Sequence, residues 1–74
     1  MGMFLNKIRE GKTLVIVPDN RCPEWVYRVT CDNNKFIAKE LHVDYVTDLL
    51  STQEIHNETE LFNLIDNSYY YFEG

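Results

Sequence analysis

The sequence predicts a small α+β domain built on an antiparallel β-sheet, and three observations lead to this prediction. Residues 13–17, 24–31 and 35–41 follow one another with strand-like patterns, as in an antiparallel meander. Apolar residues take a helical period both before and after this stretch. The chain has 74 residues, of which 45% are hydrophobic, so it has enough apolar material to fold but only enough for one core. The predicted order is α-β-β-β-α-α-β in a single domain, residues 1–74.

The first predicted element is a short amphipathic helix. Phe4, Leu5 and Ile8 have i, i+1, i+4 spacing and are expected to face the core. Lys7 points away from them. The C-cap of this helix is assigned to the glycine at position 11.

The first strand is predicted over Thr13–Val17, where a β-branched and apolar run is continuous. Such a run is typical of a strand covered on both faces, so we expect it to be central in the sheet. Pro18 ends it. The Lys-Thr pair after Gly11 matches only the end of a phosphate-binding loop, because the upstream glycine and the preceding strand are missing. We therefore do not assign nucleotide binding to this segment.

A β-hairpin is predicted over residues 24–41. Its first strand alternates, with one face made of Trp25, Tyr27, Val29 and Cys31 and the other of Val26, Arg28 and Thr30. Asn33 and Asn34 tolerate a left-handed backbone and follow Asp32, which indicates the turn. Residues 35–41 then resume an extended pattern.

Residues 43–51 are predicted to form the second helix. Val46, Leu49 and Leu50 would lie on one face. Asp44 and Asp48 would lie on the other, where their like charges repel by a few tenths of a kcal/mol. Residues 52–56 fit either a connection or a short edge strand, and the sequence leaves both open.

The third helix is predicted to begin at Asn57, whose side chain suits an N-cap with Glu60 at the N3 position. Its buried stripe is Leu61, Leu64 and Ile65, with Phe62 at the margin, and it ends at Asp66-Asn67. Residues 68–74 have high strand propensity. They are predicted to form a fourth strand of the sheet, with an aromatic tail docked on a partner as the alternative.

Charge is divided sharply between the two parts of the chain. Residues 1–39 contain all seven Lys and Arg and only four acids, which gives a net charge of +3. Residues 40–74 contain eight carboxylates and no Lys or Arg, which gives −8. Soluble surfaces normally mix the two signs, so this segregation predicts a cationic partner.

We expect the carboxylates of residues 40–74 to bind the basic surface of a nucleic-acid-binding protein, because duplex DNA offers a comparable density of negative charge. The predicted partner-binding carboxylates are Asp44, Asp48, Glu54, Glu58, Glu60 and Asp66. Tyr45 and Tyr70 are predicted as aromatic anchors of the interface. A dimer is possible, since a partner or second copy would add stability to so small a chain.

In size and in this carboxylate series, the chain resembles the small acidic inhibitor proteins that phages and mobile elements make against host nucleases and defence systems, of the anti-CRISPR or anti-restriction type. The resemblance rests on length and charge and on no residue motif. It implies that the partner itself handles nucleic acid, and that the protein acts as a nucleic-acid mimic in the host cytoplasm.

Two other binding functions remain open. The basic first half interleaves its Lys and Arg with Trp25, Tyr27 and Phe36, as in sheets that stack bases. Against direct nucleic-acid binding stands the −8 charge of the second half on the same small body. An antitoxin or assembly subunit is the third possibility.

No catalytic, cofactor or metal site is predicted. His42 with Asp44, or His56 with Glu58 or Glu60, has no serine or cysteine in a recognised nucleophile setting. The spacing of Cys22, Cys31, His42 and His56 matches no compact zinc motif. No stretch approaches the roughly 20 apolar residues that span a bilayer, and we expect a cytoplasmic protein with free thiols.

Overall fold

The order of helices and strands is α-β-β-β-β-α-β in a computed structural model that describes residues 2–18, 25–42 and 49–74. The elements are α1 (Met3–Arg9), β1 (Thr13–Val17), β2 (Trp25–Asp32), β3 (Lys35–His42), β4 (Leu49–Ile55), α2 (Glu58–Ile65) and β5 (Tyr69–Glu73). The predicted α+β class with an antiparallel sheet is confirmed. The described residues contain five strands and two helices, whereas four strands and three helices were predicted.

The sheet has the strand order β4-β3-β2-β1-β5, with every neighbouring pair antiparallel. Strands β1 to β4 form a meander, and the chain returns through α2 to place β5 beside β1. Strand β1 is therefore interior, as its apolar run predicts, although β2 holds the middle position. The predicted C-terminal strand is confirmed as β5.

The predicted hairpin between β2 and β3 is confirmed in its turn and register. Asn33 and Asn34 have φ values of 52° and 64°, and Asp32 is the partner of Lys35 across the two-residue loop. Two consecutive positive φ values define the turn type whose twist matches that of the flanking strands.

The predicted helix over residues 43–51 is wrong at its C-terminal end, because Leu49, Leu50 and Ser51 begin strand β4. Residues 43–48, with Asp44, Tyr45 and Asp48, lie outside the described residues. The pairing shifts between Glu40 and Leu41, so that Leu50 is an extra residue between Ser51 and Leu49. Backbone pairing with the otherwise open edge of β3 outweighs the helical spacing of the leucines. The edge-strand alternative for residues 52–56 is confirmed as part of β4.

Both helices pack on one face of the sheet, where most of the buried hydrophobic residues form one cluster, while Val15, Val26 and Leu41 are buried on the other face. This cluster contains Leu5, Ile8, Leu14, Ile16, Val29, Phe36, Ala38, Ile55, Leu61 and Ile65. The predicted stripe of α2 is confirmed, with Leu61 fully buried and Phe62 half-exposed at its margin. Burying a leucine or phenylalanine side chain contributes about 1.5–3 kcal/mol, so this face supplies most of the folding energy.

Helix α1 ends just before Gly11, as the sequence predicts. Gly11 has φ 113°, its N–H donates to the Ile8 carbonyl, and the Lys12 N–H donates to the Lys7 carbonyl. These two bonds satisfy carbonyls of the last helical turn. Neither α1 nor α2 is long and apolar enough to cross a membrane.

Candidate functional site

Among the described residues, the two helices leave part of their face of the sheet uncovered, and an open trough runs there along α2. Two adjoining cavities of about 370 and 470 Å³ share Asn63 and Leu64 of α2 as a common wall. Their other lining residues are Pro18, Tyr27, Gln53, Glu54, Ile55, Glu60, Asp66, Asn67 and Ser68. We call this feature the α2 trough. Among the described residues that line it, three are acidic and none is a Lys or Arg.

Glu60 is fixed in the trough by the start of α2. The Asn57 side chain accepts a hydrogen bond from the Glu60 N–H at 2.9 Å, which confirms the predicted N-cap. In return Glu60 Oε1 accepts from the His56 N–H at 2.9 Å and lies 3.0 Å from His56 Nδ1. These bonds from His56, first the backbone bond and then the side-chain bond, lower the pKa of Glu60. Glu60 therefore stays ionised in the trough.

Glu54 and Asp66 are two further acidic residues of the trough lining, although Glu54 alternates along β4 with Ile55, whose side chain is buried on the helix-covered face. Glu54 lies near the end of edge strand β4, with its Oε2 atom 3.8 Å from His56 Nε2. Asp66 caps the C-terminal end of α2 with φ 38° and is exposed. The imidazole of His56 is thus the group that lies between Glu54 and Glu60.

A chain of polar side chains adjoins the trough on the sheet. Tyr27, Glu40 and Ser51 are cross-strand neighbours on β2, β3 and β4. Ser51 Oγ donates to Glu40 Oε1 at 3.1 Å. Burial raises the pKa of Tyr27, and the charge of Glu40 and a hydrogen bond to it raise that pKa further. Glu40 therefore adds a fourth carboxylate beside the three that line the trough.

Glu40 and Tyr27 are absent from the predicted site, although the sequence contained the signal for them. A two-residue turn at Asn33 and Asn34 fixes the hairpin register, and counting back from it pairs Tyr27 with Glu40. Strand alternation then places both on the face of Trp25, where the helices pack.

Of the predicted carboxylates, Glu54, Glu60 and Asp66 line the trough, whereas Glu58 does not. Glu58 Oε1 accepts a hydrogen bond from the Phe4 N–H at 3.3 Å, which satisfies an amide in the first turn of α1. Its Oε2 atom is buried without a hydrogen-bond partner among the described residues. A Cβ atom at Gly2 would lie 2.1 Å from that oxygen, so glycine is required for this close contact. Glu58 holds the two helices together.

The predicted anchor Tyr70 lies on β5, two strands away from Tyr27. Its ring centroid is 5.3 Å from that of Phe4, which also contacts Phe62 at 5.4 Å and Phe72 at 5.5 Å. This aromatic cluster is separate from the residues that line the trough. Asp44, Asp48 and Tyr45 are not among the described residues.

Two basic residues of the sheet, Arg28 and Lys39, lie on the face opposite to Tyr27 and Phe36. Arg28 and Lys39 are cross-strand partners on the face away from the helices. Tyr27 and Phe36 face the helices, and Phe36 is only 5% exposed. Trp25 packs edge-on against His42, with ring centroids 5.1 Å apart. Base stacking needs both kinds of side chain on one surface, and of the described basic residues Arg9 lies over the Phe36 ring, 5.2 Å from its centroid, whereas Arg28 and Lys39 lie on the other face.

Within residues 2–18, 25–42 and 49–74, no three His, Cys, Asp or Glu side chains are grouped so that they could hold a metal ion. His42 lies against Trp25, whereas His56 lies between Glu54 and Glu60. Cys31 is a free thiol next to the core, and Cys22 is outside these ranges.

No family model matches this sequence, and no curated protein or solved structure is detectably similar to it. The fold and the trough define the class of molecule: a five-stranded α+β domain with an anionic surface groove.

Proposed function

We propose that the chain is a small binding protein that inhibits a nucleic-acid-binding effector by accepting a basic part of that effector in the α2 trough. The observation that carries this proposal is the sign of the trough. Glu54, Glu60 and Asp66 line it, and none of the described residues in its lining is a Lys or Arg.

The geometry of the trough favours a protruding charged group over an enclosed small molecule. The cavities are open and shallow, and Ile55 and Leu64 are the main apolar groups around Glu54 and Glu60. The side chains of Glu54 and Glu60 are 39% and 43% exposed, so a partner would remove them further from water. Attraction to a lysine or arginine strengthens as water is excluded.

Inhibition follows from competition for the same surface. A protein groove that binds phosphates carries closely spaced Lys and Arg residues. A series of carboxylates can match the spacing of these positive charges. Covering that groove excludes the nucleic acid, which is the mode of action of a nucleic-acid mimic. The resemblance to phage inhibitors of the anti-CRISPR or anti-restriction type is consistent with this mode, and the cytoplasm is the compartment we propose.

The test compares two variants with the same change in net charge. Glu54→Lys with Asp66→Asn alters the trough, and asparagine tolerates the positive φ of position 66. Glu10→Lys with Asp32→Asn makes the same charge change at exposed positions outside the trough. Tagged wild-type protein and both variants are used to isolate partners from the native cell, and each captured protein is assayed for nucleic-acid binding with and without the wild-type chain.

We expect the wild type and the Glu10/Asp32 variant to capture a nucleic-acid-binding protein and to displace its nucleic acid. The Glu54/Asp66 variant should lose this activity, and wild-type affinity should fall steeply as salt rises. Equal binding by both variants would contradict the trough as the interface. Charge reversal of Asp44 and Asp48 tests whether those predicted residues extend it.

A gel-shift assay tests the alternative function. Direct binding to oligonucleotides that is removed by Lys35→Glu and Lys39→Glu would favour a nucleic-acid-binding module. We expect no shift at low salt, because the net charge of −5 repels phosphates.

A further inference from the structure

Strand β5 is an open edge of the described sheet. It pairs with β1 without interruption, from Val17 opposite Tyr69 to Thr13 opposite Glu73. No other described strand lies on its outer side. Tyr69, Tyr70 and Tyr71 are 69%, 48% and 51% exposed, so the edge also presents a row of aromatic side chains.

The other edge strand, β4, carries features that oppose pairing with a further strand. It contains the extra residue Leu50, which distorts the strand, and its next four residues, 51–54, are polar or charged. Strand β5 has no Pro, no Lys and no shift in register. Its one charged residue, Glu73, forms an ion pair with Arg28 across β1. An edge of this kind favours association with another strand.

We infer that β5 pairs with β5 of a second copy of the chain, antiparallel about a two-fold axis at Tyr71. This proposal does not depend on the function of the α2 trough. A symmetric dimer requires one surface to be complementary to itself. With Tyr71 opposite its own copy, Tyr70 lies opposite Phe72 and Tyr69 lies opposite Glu73.

This register suits each pair of side chains. Tyr70 and Phe72 form an aromatic cross-strand pair on the face that already holds Phe4. The Tyr69 hydroxyl can donate to the Glu73 carboxylate, and the two Glu73 side chains stay apart. A second copy is therefore a better occupant of this edge than a strand of unrelated sequence, because it supplies a matching partner for Tyr69, Tyr70, Phe72 and Glu73.

The size of the surface predicts a weak dimer. An aromatic side chain has about 150–250 Å² of surface, so the exposed parts of Tyr69, Tyr70, Tyr71 and Phe62 offer about 400 Å² in each copy. Both copies together offer about 800 Å² of side-chain surface, which is below the range of stable specific interfaces and typical of weak, transient ones. The dimer should therefore dissociate on dilution.

The test is sedimentation equilibrium of the purified chain from about 1 μM to about 1 mM, a span chosen for a weak complex. Tyr71→Lys and Tyr71→Glu each place two like charges at the axis. Leu49→Lys is the matched control, because Leu49 is also 51% exposed on an edge strand. Circular dichroism checks that each variant is folded.

We expect the wild type and Leu49→Lys to approach twice the 8.8 kDa monomer mass as concentration rises. Tyr71→Lys and Tyr71→Glu should each stay monomeric, and an equimolar mixture of the two should dimerise, because opposite charges then meet at the axis. A wild type that is monomeric throughout would overturn the proposal whatever the variants do. A dimer that persists in Tyr71→Lys, or a mixture that fails to associate, would also overturn it.

Discussion

At the scale of single residues, several carboxylates of the acidic half serve the fold before they serve any partner. Glu58 caps the first turn of α1, and Glu60 closes the start of α2 with Asn57. Glu73 pairs with Arg28. The acidic composition of this half therefore has two causes, helix capping and the anionic trough, and only the second points to a partner.

The contacts of Glu60 predict a specific dependence of stability on pH. Its pKa lies below the ordinary 4.5 in the folded chain, so its contribution is complete above that value and is lost as pH falls through the folded-state pKa. Glu60→Gln should therefore reduce the loss of stability on acidification, measured as the urea midpoint between neutral and acidic pH. Glu10→Gln, at an exposed site, should retain the wild-type dependence. An unchanged profile in Glu60→Gln would contradict the His56 contacts.

The N-cap of α2 predicts a measurable loss of stability. Asn57→Ala removes the acceptor of the Glu60 N–H and should lower the free energy of unfolding by about 1 kcal/mol. Asn63→Ala makes the same chemical change at an exposed position inside the same helix, where alanine is the better helix former. Urea denaturation should show a loss for Asn57→Ala alone, and equal stabilities would exclude the cap.

At the scale of elements, local signals predicted six of the seven described helices and strands with bounds close to those observed. The hairpin is specified by Asn33 and Asn34, and α2 by Asn57 and Glu60, all within a few residues of the structure they determine. Local sequence signals did not predict strand β4. Its pattern is helical in the sequence, and it becomes a strand because β3 presents an open edge.

The hairpin turn supplies a prediction at this scale. Asn34 has φ 64°, a conformation that costs alanine roughly 1 kcal/mol or more and costs glycine almost nothing. Asn34→Ala should therefore destabilise the chain by about 1 kcal/mol. Asn34→Gly should keep or raise the wild-type stability in the same urea titration. Equal stability of the two variants would show that this turn does not limit the fold.

The site was predictable in sign but only partly in position. Glu54, Glu60 and Asp66 could be selected because residues 40–74 lack basic residues, and in the structure they line the two adjoining cavities along α2. Glu58 could not be separated from them, because its partner, the Phe4 N–H, is 54 residues away in the chain. Long-range contacts of this kind have no local signature.

At the scale of the whole molecule, one core on one face of the sheet must hold all seven elements. Leu61 is fully buried in this core, and Leu61→Ala should cost about 3 kcal/mol. A 74-residue chain has a total stability of roughly 4–11 kcal/mol, so this loss is large.

The same substitution tests cooperativity. Trp25, the one tryptophan, reports on β2 by fluorescence, while circular dichroism reports on the helices. Both thermal midpoints should fall together in Leu61→Ala. Leu64→Ala, at a half-buried position, should show a smaller shift. Midpoints that separate would contradict a single cooperative unit.

The position of β1 between β2 and β5 has a consequence for how the protein is made. As the chain leaves the ribosome, β1 emerges early, but its second neighbour is complete only when residue 73 has been synthesised. The first turn of α1 likewise waits for Glu58. The native sheet therefore closes only after residues 69–73 have been synthesised, and a ribosome-stalled fragment that lacks them should remain open to proteases.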